Sequence, residues 1–259
     1  MKIEIIEMLD QNTIRVTCPN ERWYKKPNSE PAVWLPSSTW ICSYYPRGLA
    51  YFKWLAAHGW QEAEEIKTAA GEKGSRVHNA CNALMDGIAL NLDTKFTDSE
   101  GKESELNLEE WEACMSFVDW YNDVKPEILQ KDITVINEEH GYMGTLDLLA
   151  IIDNQVWLID LKTSQDVWPS HEIQLASYFH AENIKIGEGI QAEKMAILQL
   201  GYRRNKKKKY KWTEVEDKFD LFLAAKLIWK QENENKQPPQ KDYPRVLQLQ
   251  TKETKSGTN

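Results

Sequence analysis

The sequence predicts an α/β fold, a central sheet flanked by helices, and three observations support this. Two apolar runs, Thr145–Ile152 and Gln155–Leu161, are joined by Asp153-Asn154, residues that tolerate the turn conformations of a hairpin. A third apolar run, Lys194–Tyr202, reads as a further core strand. Segments with apolar residues at helical spacing, among them Leu108–Val124 and Lys218–Glu234, alternate with these runs. A hydrophobic content of 41% and eleven tryptophans are ample for a core in 259 residues.

Taken in order, residues 2–8 and 12–18 read as short strands with a turn at 10–12. Residues 19–36 hold four prolines and read as loop-rich. Arg22, Tyr24, Lys25 and Lys26 there interleave cations with rings, a mixture that suits either a solvated loop or single-stranded nucleic acid. Ser37, Ser38 and Thr39 can cap the helix that follows. Residues 47–57 and 60–70 read as helices, the second rich in glutamate. Gly71 and Gly74 punctuate the chain before a helix over 75–87 that carries His78. Residues 90–105 are polar and read as a mobile insertion. Over 108–124, Trp111, Met115, Val118 and Tyr121 fall near one helical face, the expected core face. Lys131–Glu139 is the expected first strand of the hairpin set, and Glu138 and Glu139 read as solvated. The expected organisation is 1–35 as N-terminal strands and loop, 36–234 as the main domain, and 235–259 as a flexible tail. Within the main domain, 36–125 is mostly helical and 126–234 holds the sheet and its helices.

The chemistry gathers between Gly141 and Tyr178. If the two apolar runs pair antiparallel about 153–154, positions summing to about 307 face each other, and Asp147 lies opposite Asp160. Strand side chains alternate faces, so Asp160 and Lys162 share one face and Leu161 takes the other. Two adjacent carboxylates repel unless a cation holds them. Mg²⁺ suits such a pair, because it takes carboxylate oxygens, keeps several waters and accepts phosphate oxygens. A lysine beside it can hold or activate water and neutralise charge developing on phosphate. Gln174 and Tyr178, at i and i+4 on the next helix, share a face.

These residues together resemble the PD-(D/E)XK nuclease superfamily in its RecB-like branch. The likeness rests on Gly144-Thr-Leu-Asp147, Asp160-Leu-Lys162, Gln174-Leu-Ala-Ser-Tyr178 and, upstream, Gly74-Ser-Arg-Val-His78. It spans roughly residues 20–230. The wording is similar to phage and prophage exonuclease-like proteins and, more distantly, to the mitochondrial genome maintenance exonuclease. The resemblance implies a restriction-endonuclease-like core with a mixed central sheet, and a Mg²⁺- or Mn²⁺-dependent deoxyribonuclease, with an exonuclease favoured over an endonuclease. It further implies metal ligation by Asp147, Asp160, the Leu161 carbonyl and His78, catalysis by Lys162, and orientation of the lysine and the DNA strand by Gln174 and Tyr178. The implied setting is phage or prophage DNA recombination, replication or repair, with DNA and a single-strand-binding or recombinase protein as partners. Asp132 stands where many relatives carry glutamate, fifteen residues before Asp147. Members that hold an iron–sulfur cluster use three cysteines near the C-terminus; here no cysteine follows Cys114, so no cluster is expected. A non-cleaving DNA-end-binding or recombination-accessory module on the same fold is the alternative.

The net charge of −8 and a pI near 5.3 count against non-specific coating of nucleic acid. They leave room for a local basic track, and Arg203, Arg204, Lys206 and Lys207, in the sharpest basic run, are the candidates besides Tyr178. Cys18, Cys42, Cys81 and Cys114 are widely spaced and read as reduced thiols, which together with an N-terminus unlike a signal peptide suggests a cytoplasmic protein of a bacterial host or phage-infected cell. No apolar run approaches the ~20 residues of a membrane span, so no membrane partner is expected.

Overall fold

A computed structural model describes residues 5–9, 13–18, 20–98, 101–181, 191–204 and 209–238. The expected turn at 10–12, Lys206, Lys207 and the tail from 239 onward lie outside the described residues. The fold is mixed α/β. A four-stranded antiparallel sheet comes first, with β1 (Ile5–Met8), β2 (Ile14–Cys18), β3 (Glu21–Lys25) and β4 (Trp34–Pro36) in sequential order. The 19–36 stretch is therefore not mainly loop. Pro27 and Pro31 lie between β3 and β4, and Pro36 ends β4, where no ladder donor is lost.

Helix α1 (Ser38–Cys42) follows, with Ser37 accepting the Trp40 N–H at 3.0 Å as its cap. Helix α2 (Leu49–Met85) then runs without a break at Gly71 and Gly74. A helical glycine costs only about 1 kcal/mol against alanine. Good helix formers surround this pair, and burial of Val77, Ala80 and Cys81 anchors the C-terminal half. The interruption falls instead at Gly59 (φ 75°, ψ 167°), a left-handed conformation that costs glycine little.

The expected insertion over 90–105 contains a small hairpin, β5 (Lys95–Thr97) and β6 (Glu103–Glu105), with Phe96 buried. Helix α3 (Leu108–Val124) has the expected span but turns the other face inward. Met115, Val118 and Tyr121 are exposed, whereas Ala113, Cys114, Phe117 and Trp120 are buried. Both sets have helical spacing. The small Ala113 and Cys114 allow close approach to the sheet, and buried Glu110 is neutralised by Arg76.

The main sheet has the order β11-β10-β9-β8-β7. Strands β7 (Glu127–Asn137), β8 (Tyr142–Ile152) and β9 (Gln155–Lys162) form an antiparallel meander, β10 (Lys194–Leu200) joins β9 in parallel, and β11 (Tyr210–Val215) closes the edge antiparallel to β10. The β8–β9 register is the one expected, running from Ile152↔Gln155 to Leu148↔Ile159. Strand β11, which begins inside the basic run, was not anticipated. Helix α4 (Pro169–Phe179) packs Leu175 and Tyr178 on one face of the sheet with Leu158 and Ile197. Helices α2 and α3 cover the other face with Ile159, Leu161 and Leu198. Helix α5 (Phe219–Asn233) joins the N-terminal sheet and α1 in a third cluster, where Trp23, Trp40 and Trp229 meet edge to face at 5.0–6.3 Å. The two sheets touch where Tyr24 Oη lies 3.2 Å from Thr145 Oγ1 and Ser37 bridges Met143. Among the described residues no helix is long and apolar enough to cross a membrane. The four cysteines are free and buried.

Candidate active site

Strand β8 is irregular at Asp147. In an unbroken strand Leu146 and Leu148 would share a face, yet they pack into the clusters on opposite sides of the sheet. The backbone ladder to β9 ends at Leu148↔Ile159, and the next β9 donor, the Leu161 N–H, donates instead to Asp147 Oδ2 at 2.7 Å. In β7, the pairs Lys131↔Leu148 and Ile133↔Leu146 put Asp132 across from Asp147, and Asp132 has φ 48°. Such strand irregularities re-aim side chains and recur beside active sites. Here they set Asp132, Asp147 and Asp160 along adjacent strands, all facing one cleft of about 650 Å³. Lys162, His78, Gln174 and Tyr178 line the same cleft.

Lys162 Nζ lies 2.6 Å from Asp160 Oδ2. The approach is off the hydrogen-bonding direction, so this nearly buried oxygen has an ionic partner but no aligned hydrogen bond. Burial and the neighbouring Asp147 push the Asp160 carboxyl up to about 6, against the pull of Lys162. Burial would push Asp147 up as well, but His78, Lys162 and the Leu161 N–H outweigh it and hold its carboxyl below the usual range. Burial works against the Lys162 ammonium, and Asp160 and Asp147 overcome it, leaving the lysine more firmly protonated than usual.

His78 sits between two acceptors. Its Nε2 is 2.9 Å from the Leu161 carbonyl and can only donate there; its Nδ1 is 3.4 Å from Asp147 Oδ1. Both contacts favour the imidazolium, and Asp147 raises the ring's pKa in spite of burial. The ring thus engages the Leu161 carbonyl and Asp147, three of the four expected ligands meeting one another, with neither ring nitrogen turned to the open cleft.

The Gln174 amide donates at 2.8 Å to both Tyr178 Oη and Thr39 Oγ1. Among the described residues neither Gln174 nor Tyr178 hydrogen-bonds Lys162. Tyr178 is 2% exposed, with burial keeping its phenol protonated, so its ring cannot stack on a base. That ring packs on Gly144, where an added Cβ would stand 2.4 Å from Tyr178 Cε1. Gly144 and Tyr178 are thus two parts of one contact.

Arg203 and Arg204 do not line the cleft; they pair on the surface with Glu109 and with Asp166, the latter at 3.1 Å. Glu138 is exposed and pairs with Lys26 at 2.8 Å, and Glu139 is exposed. Arg22, one of the cations noted among rings in residues 22–26, lines the cleft, and so do Arg47, Trp168 and His171, which nothing in the sequence had singled out. His171 accepts the Trp168 N–H on Nδ1 at 3.3 Å, and burial with Lys162 and Arg47 lowers its pKa to about 3. No local motif marks these residues, because the tertiary fold alone brings them to the cleft.

The donor set fits a hard cation held by two carboxylates, with water and a phosphate completing its shell. The repulsion between the buried Asp147 and Asp160 carboxylates is what such an ion would relieve. It does not fit an ion that needs a full protein cage, since among the described residues no three His, Cys, Asp or Glu side chains are grouped to hold one. No family model matches the sequence, and a search of curated proteins finds no match.

Proposed function

We propose that this protein is a metal-dependent deoxyribonuclease of the PD-(D/E)XK type, hydrolysing phosphodiester bonds with Mg²⁺ or Mn²⁺. The observation that carries the reading is the convergence of Asp147 on β8 with Asp160 and Lys162 on the adjacent β9 in an open cleft, with Lys162 in ionic contact with Asp160. A protein that only held DNA would gain nothing from carboxylates facing phosphate.

Each residue has a physical role in this reading. Asp147 and Asp160 would hold the cation, which would polarise the phosphoryl oxygen and favour ionisation of the attacking water. Lys162, held protonated by the two carboxylates, acts as a charge and a water-positioning donor in preference to a general base. His78 engages the Leu161 carbonyl near the end of β9 and Asp147 in the middle of β8, which ties the two strands together where their backbone ladder has stopped. Gln174 ties α4 to Thr39 of α1 and thereby sets the cleft wall. By resemblance, an exonuclease acting in DNA recombination, replication or repair is the favoured form.

The test is cleavage of end-labelled linear single- and double-stranded DNA, beside a closed circle, in Mg²⁺, Mn²⁺ or EDTA. Wild type should degrade DNA only with metal, and Lys162→Ala and Asp160→Ala should each lose roughly 10²-fold or more while melting cooperatively. Wild-type-like cleavage by either variant overturns the assignment. DNA binding with no cleavage in any metal moves the reading to an accessory end-binding module.

A further inference from the structure

We propose that the cleft accepts an unpaired DNA strand, gripped at its phosphates by Arg22 and Arg47 and stacked on Trp168. This deepens the nuclease reading and rests on it for the chemistry alone.

Arg22 and Arg47 come from different elements, β3 and the segment just before α2, and line the same cleft as Asp147, Asp160 and Lys162. In a chain with eight excess negative charges most cleft cations would be expected to pair, and Arg15 does so with Glu7 at 2.7 Å. Among the described residues neither Arg22 nor Arg47 is in an ion pair. Arg47 instead lies 5.4 Å over the Tyr51 ring, a contact that orients a guanidinium and leaves its charge uncompensated. Arg47 also acts electrostatically on His171, as Lys162 does, so its charge is felt beside the lysine.

The cleft continues past Arg22. A second groove of about 290 Å³ shares Thr17, Arg22, Thr39 and Ser43 with it. Arg22 therefore stands at the junction of two connected depressions, where a strand running from one into the other must pass its phosphates. At the rim Trp168 is 47% exposed, an indole left in water at the start of α4. A flat exposed ring beside free guanidiniums is the pairing that suits single strands, whose bases offer open faces. A cleft of about 650 Å³ lies within the range of small-ligand sites, roughly 300–1,000 Å³. It has room for a nucleotide or two of a single strand.

The experiment measures binding without cleavage, by fluorescence anisotropy in EDTA. Probes are a labelled single-stranded oligonucleotide and the blunt duplex of the same sequence. Proteins are wild type, Arg22→Gln, Arg47→Gln, Trp168→Ala and, as a surface control, Lys230→Gln. The single strand should bind more tightly than the duplex. Each arginine variant should weaken it and lower the salt dependence by about 0.7 in log–log slope, one phosphate contact on a single strand. Trp168→Ala should weaken it by roughly 5- to 150-fold with an unchanged slope, the range that stacking of one base spans. Lys230→Gln should bind as wild type. Thermal melts of every variant separate lost contact from lost fold. Equal or tighter duplex binding, or single-strand binding insensitive to all three substitutions, overturns the proposal. Failure of the nuclease reading looks different, because single-strand binding would then persist with no cleavage in any metal.

Discussion

Replacing Gly144 by alanine tests how the site is braced. The new Cβ would stand 2.4 Å from Tyr178 Cε1 and 3.2 Å from Cζ. Carbon pairs sit comfortably at about 3.5–4.0 Å, so the ring must retreat by about 1 Å. It has little room, because Tyr178 is 2% exposed and packs among Val135, Leu146, Leu158 and Leu175. Overpacking of this kind costs about 1–3 kcal/mol, and displacing the phenol also weakens its 2.8 Å bond from Gln174, worth about 1 kcal/mol. The expected loss is about 2–4 kcal/mol, or roughly 5–15 °C in melting temperature for a domain of this size. Thermal or urea unfolding reads it directly. The control is the Tyr178→Leu background, where the ring is gone and Gly144→Ala should become nearly neutral, a coupling of at least about 1 kcal/mol. A Gly144→Ala protein melting within 2 °C of wild type, or equal costs in both backgrounds, would refute the argued contact.

Other expectations follow from the same geometry. Arg76 is 13% exposed and bonds Glu110, itself 1% exposed, at 2.6 Å, so Arg76→Ala strands a buried carboxylate and should cost about 3–5 kcal/mol in urea unfolding. His171 has its pKa lowered from about 6.5 to about 3, so the unfolded chain takes up its proton first. Its stabilisation is complete above pH ~6.5 and is lost as pH falls towards ~3. His171→Gln, which keeps an acceptor for the Trp168 N–H, should flatten that part of the stability–pH curve by a few kcal/mol; an unchanged curve speaks against the buried neutral ring. Mg²⁺ or Mn²⁺ at about 100 times its Kd should stabilise the protein by about 2.7 kcal/mol, seen as a raised melting temperature. Asp160→Asn should abolish that shift, and a shift that survives places the ion elsewhere.

Local pattern carried much of the site and part of the fold. The Asp153-Asn154 turn and the strict period of two made the β8–β9 register readable, and with it the placing of Asp147 near Asp160. The limits of α3 followed from periodicity and punctuation. What was not legible depended on partners distant in sequence. The inward face of α3 could not be chosen, because two helical stripes compete and the choice is made by Arg76 meeting Glu110 from another helix. The continuity of α2 through Gly71 and Gly74 is a tertiary override of local propensity, and the helix is interrupted instead at Gly59, whose φ of 75° favours glycine. The strands in residues 19–36 were obscured by prolines at positions where proline is harmless. Arg22 stood in a cation–ring mixture that left a solvated loop equally open, and Trp168 joins the cleft only through the packing of α4, so nothing near it in sequence marks it.

The site's charge arrangement explains why an acidic chain can address a polyanion. Asp132, Asp147 and Asp160 come from three neighbouring strands; Lys162 in contact with Asp160 partly neutralises them, and the His78 ring, whose pKa Asp147 raises, lies against Asp147. Arg22 and Arg47, in no ion pair among the described residues, come from β3 and the segment before α2, so the cleft joins carboxylates of the main sheet to uncompensated cations from other elements. A uniformly basic cleft would bind phosphate without holding a divalent cation, and a uniformly acidic one would hold the ion and repel the strand. Separating the two signs across a cavity of about 650 Å³ permits both at once, because at this range screening by salt is incomplete. The separation depends on α2, which brings His78 to the floor and is pinned two residues earlier by Arg76 to Glu110 and Asp98. Loosening that anchor should therefore release His78 from the Leu161 carbonyl before it disturbs the sheet itself.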